Sequence, residues 1–160
     1  VGIVPRIKQL ADIGVQVGLA VSLHAANDKD RSALMPVNNR YPLQELMDAV
    51  KYYMDKTHRR VTFEWALIKD KTDKPEQAHE LGRLLGPMHC HVNVIPLNPT
   101  TGYAGAPTQR EGVKRFVDIL ARYGVKCTPR VRRGIDIDAG CGQLTVKLAQ
   151  QTKAEKQKHK

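Results

Sequence analysis

Arg60-Val61-Thr62-Phe63-Glu64-Trp65-Ala66-Leu67 decides the fold. Val61, Phe63 and Trp65 alternate with Thr62, Glu64 and Ala66, so a strand here has two unlike faces. Upstream, Pro42 opens a predicted helix to about Lys56. Leu43, Leu46, Met47, Val50 and Tyr53 fall at helical spacing and form its buried face. Downstream, Asp73 reads as the N-cap of a second helix and Glu76 as its capping-box partner. Ala78, Leu81, Leu84 and Leu85 point inward there, and Gly86 stops it. A two-faced strand between two amphipathic helices is the repeating unit of a parallel α/β sheet.

The unit repeats on both sides. Val15–Leu23 is a nearly continuous apolar run, predicted as a buried strand. A short helical stretch over Val1–Asp12 precedes it, with Pro5 in the first turn. Asp28–Met35 reads as a short helix or turn that Pro36 ends. His91–Leu97 is the third predicted strand, followed by a Pro- and Gly-rich loop over 98–107. Thr108 is the expected cap of the next helix, with Glu111 as its partner. Val113, Phe116, Val117 and Leu120 face inward, and Gly124 terminates the helix. Val125–Val131 is the fourth predicted strand, at an edge because of Pro129. A short helix is expected near Gln143–Gln151. The order α-β-α-β-α-β-α-β, with right-handed crossovers, places every strand C-terminus on one side. Ligands bind at that side in barrels and open α/β sheets alike. Ser22, His24, Asn27, Asn98 and Cys141 all follow strands and belong to it. Residues 1–146 read as one unit, and the Lys- and Gln-rich tail, 147–160, is expected to be disordered.

At 160 residues the chain is one domain or part of a larger one. It opens Val1-Gly2-Ile3 without Met, which points to a fragment of a longer protein. No apolar run approaches the roughly 20 residues that span a bilayer, and no signal peptide or membrane partner is expected. The 26 Lys and Arg against 16 acids give a net charge of +10, which favours a nucleic-acid partner. Three widely spaced cysteines make no disulfide framework and suit a reducing cytoplasm. They lack metal-site spacing. Cys90 and Cys127 fall at or within strands and read as core residues. Cys141 lies between Gly140 and Gly142, where glycine removes side-chain cover from the thiol. It is either a reactive group or an incidental cysteine in a polar loop. Glu64 is either a residue of a barrel interior or a satisfied strand carboxylate.

Three blocks, in order, carry a resemblance. They are Ser22-Leu23-His24-Ala25-x-Asn27-Asp28-x-x-Arg31 with Met35-Pro36-Val37-Asn38, then Asn93-Val94-Ile95-Pro96-Leu97-Asn98-Pro99, then Arg133-Gly134-x-Asp136-Ile137-Asp138-Ala139-x-Cys141-Gly142-Gln143-Leu144. Together they resemble the RlmN/Cfr family of radical SAM RNA methyltransferases, over Val1 to about Leu144. The resemblance implies a partial (β/α) barrel, a parallel sheet with outer helices. It implies methylation of carbon 2 of adenine in 23S rRNA and tRNA through a methyl-cysteine intermediate on Cys141. Ser22, Leu23, His24 and Asn98 match positions that bind S-adenosylmethionine. Arg130, Arg132 and Arg133 either meet RNA phosphate or pair with Asp136 and Asp138.

The chain departs from the family pattern in several places. The Cys-x-x-x-Cys-x-x-Cys motif that ligates a [4Fe–4S] cluster is absent from this sequence. The Gly-Glu cofactor motif, a proton-accepting Glu and a resolving cysteine are also expected upstream. The chain is therefore expected to be the C-terminal portion of the enzyme, inactive alone. Ile135 stands where an acid is expected, and Gly140 where Ala is expected. A Cfr-type enzyme acting on carbon 8, or a noncatalytic RNA-binding α/β module, would fit the same residues. Protein partners are not indicated.

Overall fold

Four parallel strands pair in chain order, β1-β2-β3-β4. The computed structural model describes residues 2–97 and 105–130. Its elements are α1 (Val4–Ile13), β1 (Leu19–Ser22), α2 (Asp28–Leu34), a 3-10 turn (Pro36–Asn39), α3 (Leu43–Thr57), β2 (Val61–Leu67), α4 (Pro75–Leu85), β3 (Cys90–Pro96), α5 (Arg110–Arg122) and β4 (Lys126–Pro129). The expected helix near 143–151 and the expected disordered tail lie outside the described residues. No described helix is long and apolar enough to cross a membrane.

Register explains the layering. Val21 pairs with Phe63, Phe63 with Val92, and Trp65 with Val94. These residues, with Val61 and Leu67, form one buried face. They share a single core with Val4 and Ile7 of α1, Leu46, Val50 and Tyr53 of α3, Ala78, Leu81 and Leu85 of α4, and Phe116, Ile119 and Leu120 of α5. Sequential parallel strands joined by right-handed crossovers carry their helices on one side, which is why a single core suffices. The other face carries Ala20, Ser22, Thr62, Glu64, Ala66, His91, Asn93 and Thr128, none of them buried. A sheet covered on one face is the layout of a barrel segment, not of a doubly wound sheet.

Trp65 anchors the core. It is 1% exposed, its ring lies 5.7 Å from that of Phe116, and its Nε1–H donates to the Thr72 carbonyl at 2.9 Å. Burying such a ring while satisfying its one donor is what makes Trp tolerable in a core. Gly82 serves packing by its lack of a side chain. A Cβ there would stand 2.3 Å from the Tyr123 ring, so α4 and the end of α5 could not approach as they do.

Several local expectations are corrected. The first strand starts at Leu19, not Val15. Val17 N–H donates back to the Val15 carbonyl (3.0 Å) and Tyr53 takes the Val17 carbonyl, so this segment turns and leaves Val15 and Val17 exposed. The cap of α4 is Lys74, whose N–H donates to Gln77 Oε1 at 3.2 Å. Asp73 instead accepts from Asp70 N–H and from the Thr108 hydroxyl, both at 2.8 Å. Thr108 is thereby committed elsewhere, and Gln109 is the N-cap of α5. Tertiary bonds won over local capping at both sites. Gly86 does end α4, but with right-handed dihedrals.

Candidate functional site

The strand C-terminal end is built around His24. Beyond Ser22, Leu23 N–H still donates to the Glu64 carbonyl at 3.0 Å. The chain then turns sharply, with His24 at φ 59°. This left-handed backbone is uncommon for residues other than glycine, though His, like Asn and Asp, adopts it more often than most. The turn brings Nδ1 of His24 to 3.0 Å from the N–H of Ala66. A side chain thus replaces the backbone acceptor that a longer β1 would have supplied. A backbone N–H can only donate, so Nδ1 must be unprotonated. The ring is neutral, with its proton on Nε2. Burial lowers its pKa below the ordinary 6.5, the nearby Arg31 guanidinium lowers it further, and Glu64 opposes the shift.

Below His24, a chain of polar side chains running from buried Arg31 and Asn38 to exposed Asp28 fixes the strand end. Arg31 is fully buried. Its Nη1 donates to Asn38 Oδ1 at 2.7 Å and its Nη2 to the Ser22 carbonyl at 3.3 Å. Asn38 Nδ2 donates onward to Asp28 Oδ1 (2.8 Å) and Ser32 Oγ (2.9 Å). Asp28 Oδ1 also accepts from Leu43 N–H at 2.7 Å. That bond, and then the bond from Asn38, hold the Asp28 carboxyl below its ordinary pKa. The first residue block singled out in the sequence is therefore a bonded unit joining β1, α2 and α3. Asn27 caps α2, accepting from Asp30 N–H at 2.8 Å and donating to Glu80 Oε2 at 3.0 Å.

Ser22, Leu23 and His24 stand together at this end. The Leu23 side chain is fully buried in the core, so Leu23 can offer a ligand only its backbone. Arg130 is exposed at the end of β4, its N–H donating to the Val94 carbonyl at 2.8 Å. Asn98, Arg132, Arg133 and Cys141 lie outside the described residues. Burial pushes the thiols of Cys90 and Cys127 up to about 11 and about 12. They are protonated at neutral pH and unsuited to nucleophilic or metal-binding roles. Among the described residues, no group of three His, Cys, Asp or Glu could hold a metal ion. These residues do not fit an iron–sulfur cluster.

Sequence reasoning assigned no role to Asn93, Arg31 or Asn38. Asn93 Nδ2 donates to Glu64 Oε1 at 3.1 Å across β2 and β3. The signal was the alternation in β3, where His91 and Asn93 interrupt Cys90, Val92 and Val94. A cavity of about 640 Å³ lies on this polar face, lined by Gly18, Leu19, Ala20, His58, Arg59, Arg60, Thr62, Glu64 and Asn93. It starts at the strand N-termini and reaches Glu64, the register partner of Ser22. Ser22 and His24 do not line it. The polar face therefore has two parts, a strand-end cluster at His24 and a cavity lined in part by basic residues at the opposite end.

No family model matches the sequence. The chain is 58% identical over 144 residues to the dual-specificity RNA methyltransferase RlmN 1 of Myxococcus xanthus, covering 90% of this chain and 40% of that protein. It is 50% identical over 143 residues to the probable dual-specificity RNA methyltransferase RlmN of a Thermoanaerobacter species, covering 89% and 42%. Among solved structures it resembles a radical SAM methyltransferase from Sphaerobacter thermophilus, with a TM-score of 0.86 and 50% identity over 89% of this chain and 42% of that one. A domain of a pyruvate-formate lyase-activating enzyme from Bacteroides vulgatus shares the fold, with a TM-score of 0.60 at 12% identity over 79% of this chain and 74% of that one. The chain spans about two fifths of the length of the curated relatives it matches.

Proposed function

We propose that this chain, which belongs to the RlmN family of radical SAM RNA methyltransferases, is the C-terminal portion of an enzyme that methylates carbon 2 of adenine in 23S rRNA and tRNA. The observation that carries the reading is the 58% identity, across nine tenths of the chain, to a protein named as a dual-specificity RNA methyltransferase. The strand-end cluster supports it. A neutral imidazole with its proton on Nε2 and a strand-end serine suit a zwitterionic nucleoside ligand. Ser22, Leu23, His24 and Asn98 would bind S-adenosylmethionine. When bound, that cofactor supplies the methyl group.

Cys141 would carry the methyl group on its sulfur between cofactor and adenine. Arg130, Arg132 and Arg133 would hold RNA phosphate, whose oxygens match the guanidinium fork. The cluster ligands and the remaining catalytic groups would come from sequence other than these 160 residues, and the chain alone would be inactive.

The test is Cys141→Ala in the full-length protein, with RNA digested and analysed by mass spectrometry. Methylation of adenine carbon 2 is expected to fall to background. Normal methylation by the variant, or a carbon-8 product from the parent, would overturn the assignment.

A further inference from the structure

Among the described residues, the loops at the two ends of the strands differ in charge. The segments leading into the four strands, taken with the first residue of β4, are residues 14–18, 58–60, 86–89 and 123–126. They hold Arg59, Arg60 and Lys126, the histidines His58 and His89, and no carboxylate. At the other end, the segment 68–74 after β2 mixes Lys69, Lys71 and Lys74 with Asp70 and Asp73. The loops before the strands therefore carry cations without carboxylates of their own, with Asp12 and Asp55 in the last turns of α1 and α3 beside them, whereas the 68–74 loop is mixed.

The basic end is also shaped. His58 caps α3 in the left-handed region at φ 54°, and its N–H closes on the Met54 carbonyl at 2.8 Å. The chain turns there, so Arg59 and Arg60 stand directly before β2. Arg59 Nη1 donates to Gln16 Oε1 at 2.8 Å, which ties the 58–60 segment to the 14–18 segment. His58, Arg59 and Arg60 are exposed and line the 640 Å³ cavity. Glu64, further along β2, also lines it and accepts from Asn93. A carboxylate there repels a small anion beside it. Arg59 and Arg60 remain for phosphates that stay outside.

We propose that this strand N-terminal end, centred on Arg59 and Arg60 and extending to Lys126, is a contact surface for the phosphate backbone of RNA. It lies at the opposite end of the sheet from the His24 cluster. The inference rests on the RNA methyltransferase reading and adds a second point of contact for the same substrate. A long RNA would be gripped at two separated places, one for chemistry and one for affinity. Contacts of this kind carry no sequence information but raise affinity and its salt dependence.

The test uses the full-length protein with Arg59→Glu and Arg60→Glu together. A control pair, Arg110→Glu and Arg115→Glu, makes the same charge change at two exposed positions of α5. RNA affinity is measured over a salt series. The first pair should weaken binding roughly tenfold or more near 0.1 M salt and flatten the log–log salt slope by about 1 to 2. The control pair should do much less, and methylation at saturating RNA should keep the parental rate. Arg59→Gln with Arg60→Gln gives the same direction with a smaller effect and serves if the reversal impairs folding. Unchanged affinity in both Arg59/Arg60 variants, or equal weakening in the control pair, would overturn the surface. Failure of the methyltransferase reading looks different: the parent itself would leave RNA unmodified, whatever the affinities of the variants.

Discussion

The two faces of β2 divide the labour of the molecule. On one face Val61, Phe63, Trp65 and Leu67 are at most 1% exposed and meet four helices. On the other, Thr62, Glu64 and Ala66 are half-buried and hold polar partners: Asn93 on Glu64 and the His24 ring on the Ala66 amide. The difference teaches where substitutions should be felt. The first face is close-packed, so stability depends on its volume. The second is a hydrogen-bonding surface, whose changes should alter ligand binding more than folding.

The largest expected effect breaks the apolar face. Trp65→Ala removes the ring that meets Phe116 and the donor to Thr72, and should cost about 3–5 kcal/mol in denaturant unfolding. A loss under about 1 kcal/mol would mean that the core is not centred here. Gly82→Ala should cost about 1–3 kcal/mol, because its Cβ would overlap the Tyr123 ring. An unchanged melting temperature would show that the α4–α5 contact is looser than described.

The polar face should respond less. His24→Gln loses the acceptor for Ala66 N–H and should cost about 1 kcal/mol. This bond also sets a pH dependence. The folded-state pKa of His24 is lowered from 6.5, so the unfolded chain takes up its proton first. The contribution is complete above about pH 6.5, falls as pH drops towards the lower folded value, and then levels off. Unfolding measured between pH 8 and 5 should show this component in the parent and not in His24→Gln. Equal pH profiles would contradict the bond. Smallest is Glu64→Gln, which keeps an acceptor for Asn93 and should shift stability by no more than about 0.5 kcal/mol.

The alternation in Arg60–Leu67 made the two faces of β2 legible, and helical spacing in Leu43–Tyr53 made the buried side of α3 legible. Both signals arise from periodicity within one element. Placement of Ser22, Leu23 and His24 at a strand C-terminus followed from the same reasoning. What stayed hidden depended on partners distant in sequence. The bond from His24 to Ala66, 42 positions away, has no local signature. Nor does the diversion of Thr108 to Asp73, which defeated a reasonable capping motif. Val15–Val17 looked like strand because its composition is apolar, yet Tyr53 takes its carbonyl and the segment turns. The Arg31–Asn38 bond joined two ends of a block whose residues were visible but whose contact was not.

The central proposal is that His24, which serves the fold with Nδ1, binds the cofactor with Nε2. His24→Asn separates the two. Asn tolerates the left-handed backbone and offers Oδ1 where Nδ1 stood, but has no group at the place of Nε2. Binding of S-adenosylmethionine to the full-length protein, measured by calorimetry beside thermal unfolding, decides the matter. The account predicts at least about tenfold weaker binding, the worth of one hydrogen bond at roughly 1.5 kcal/mol, with an unchanged melting temperature. Parental affinity in His24→Asn would contradict it.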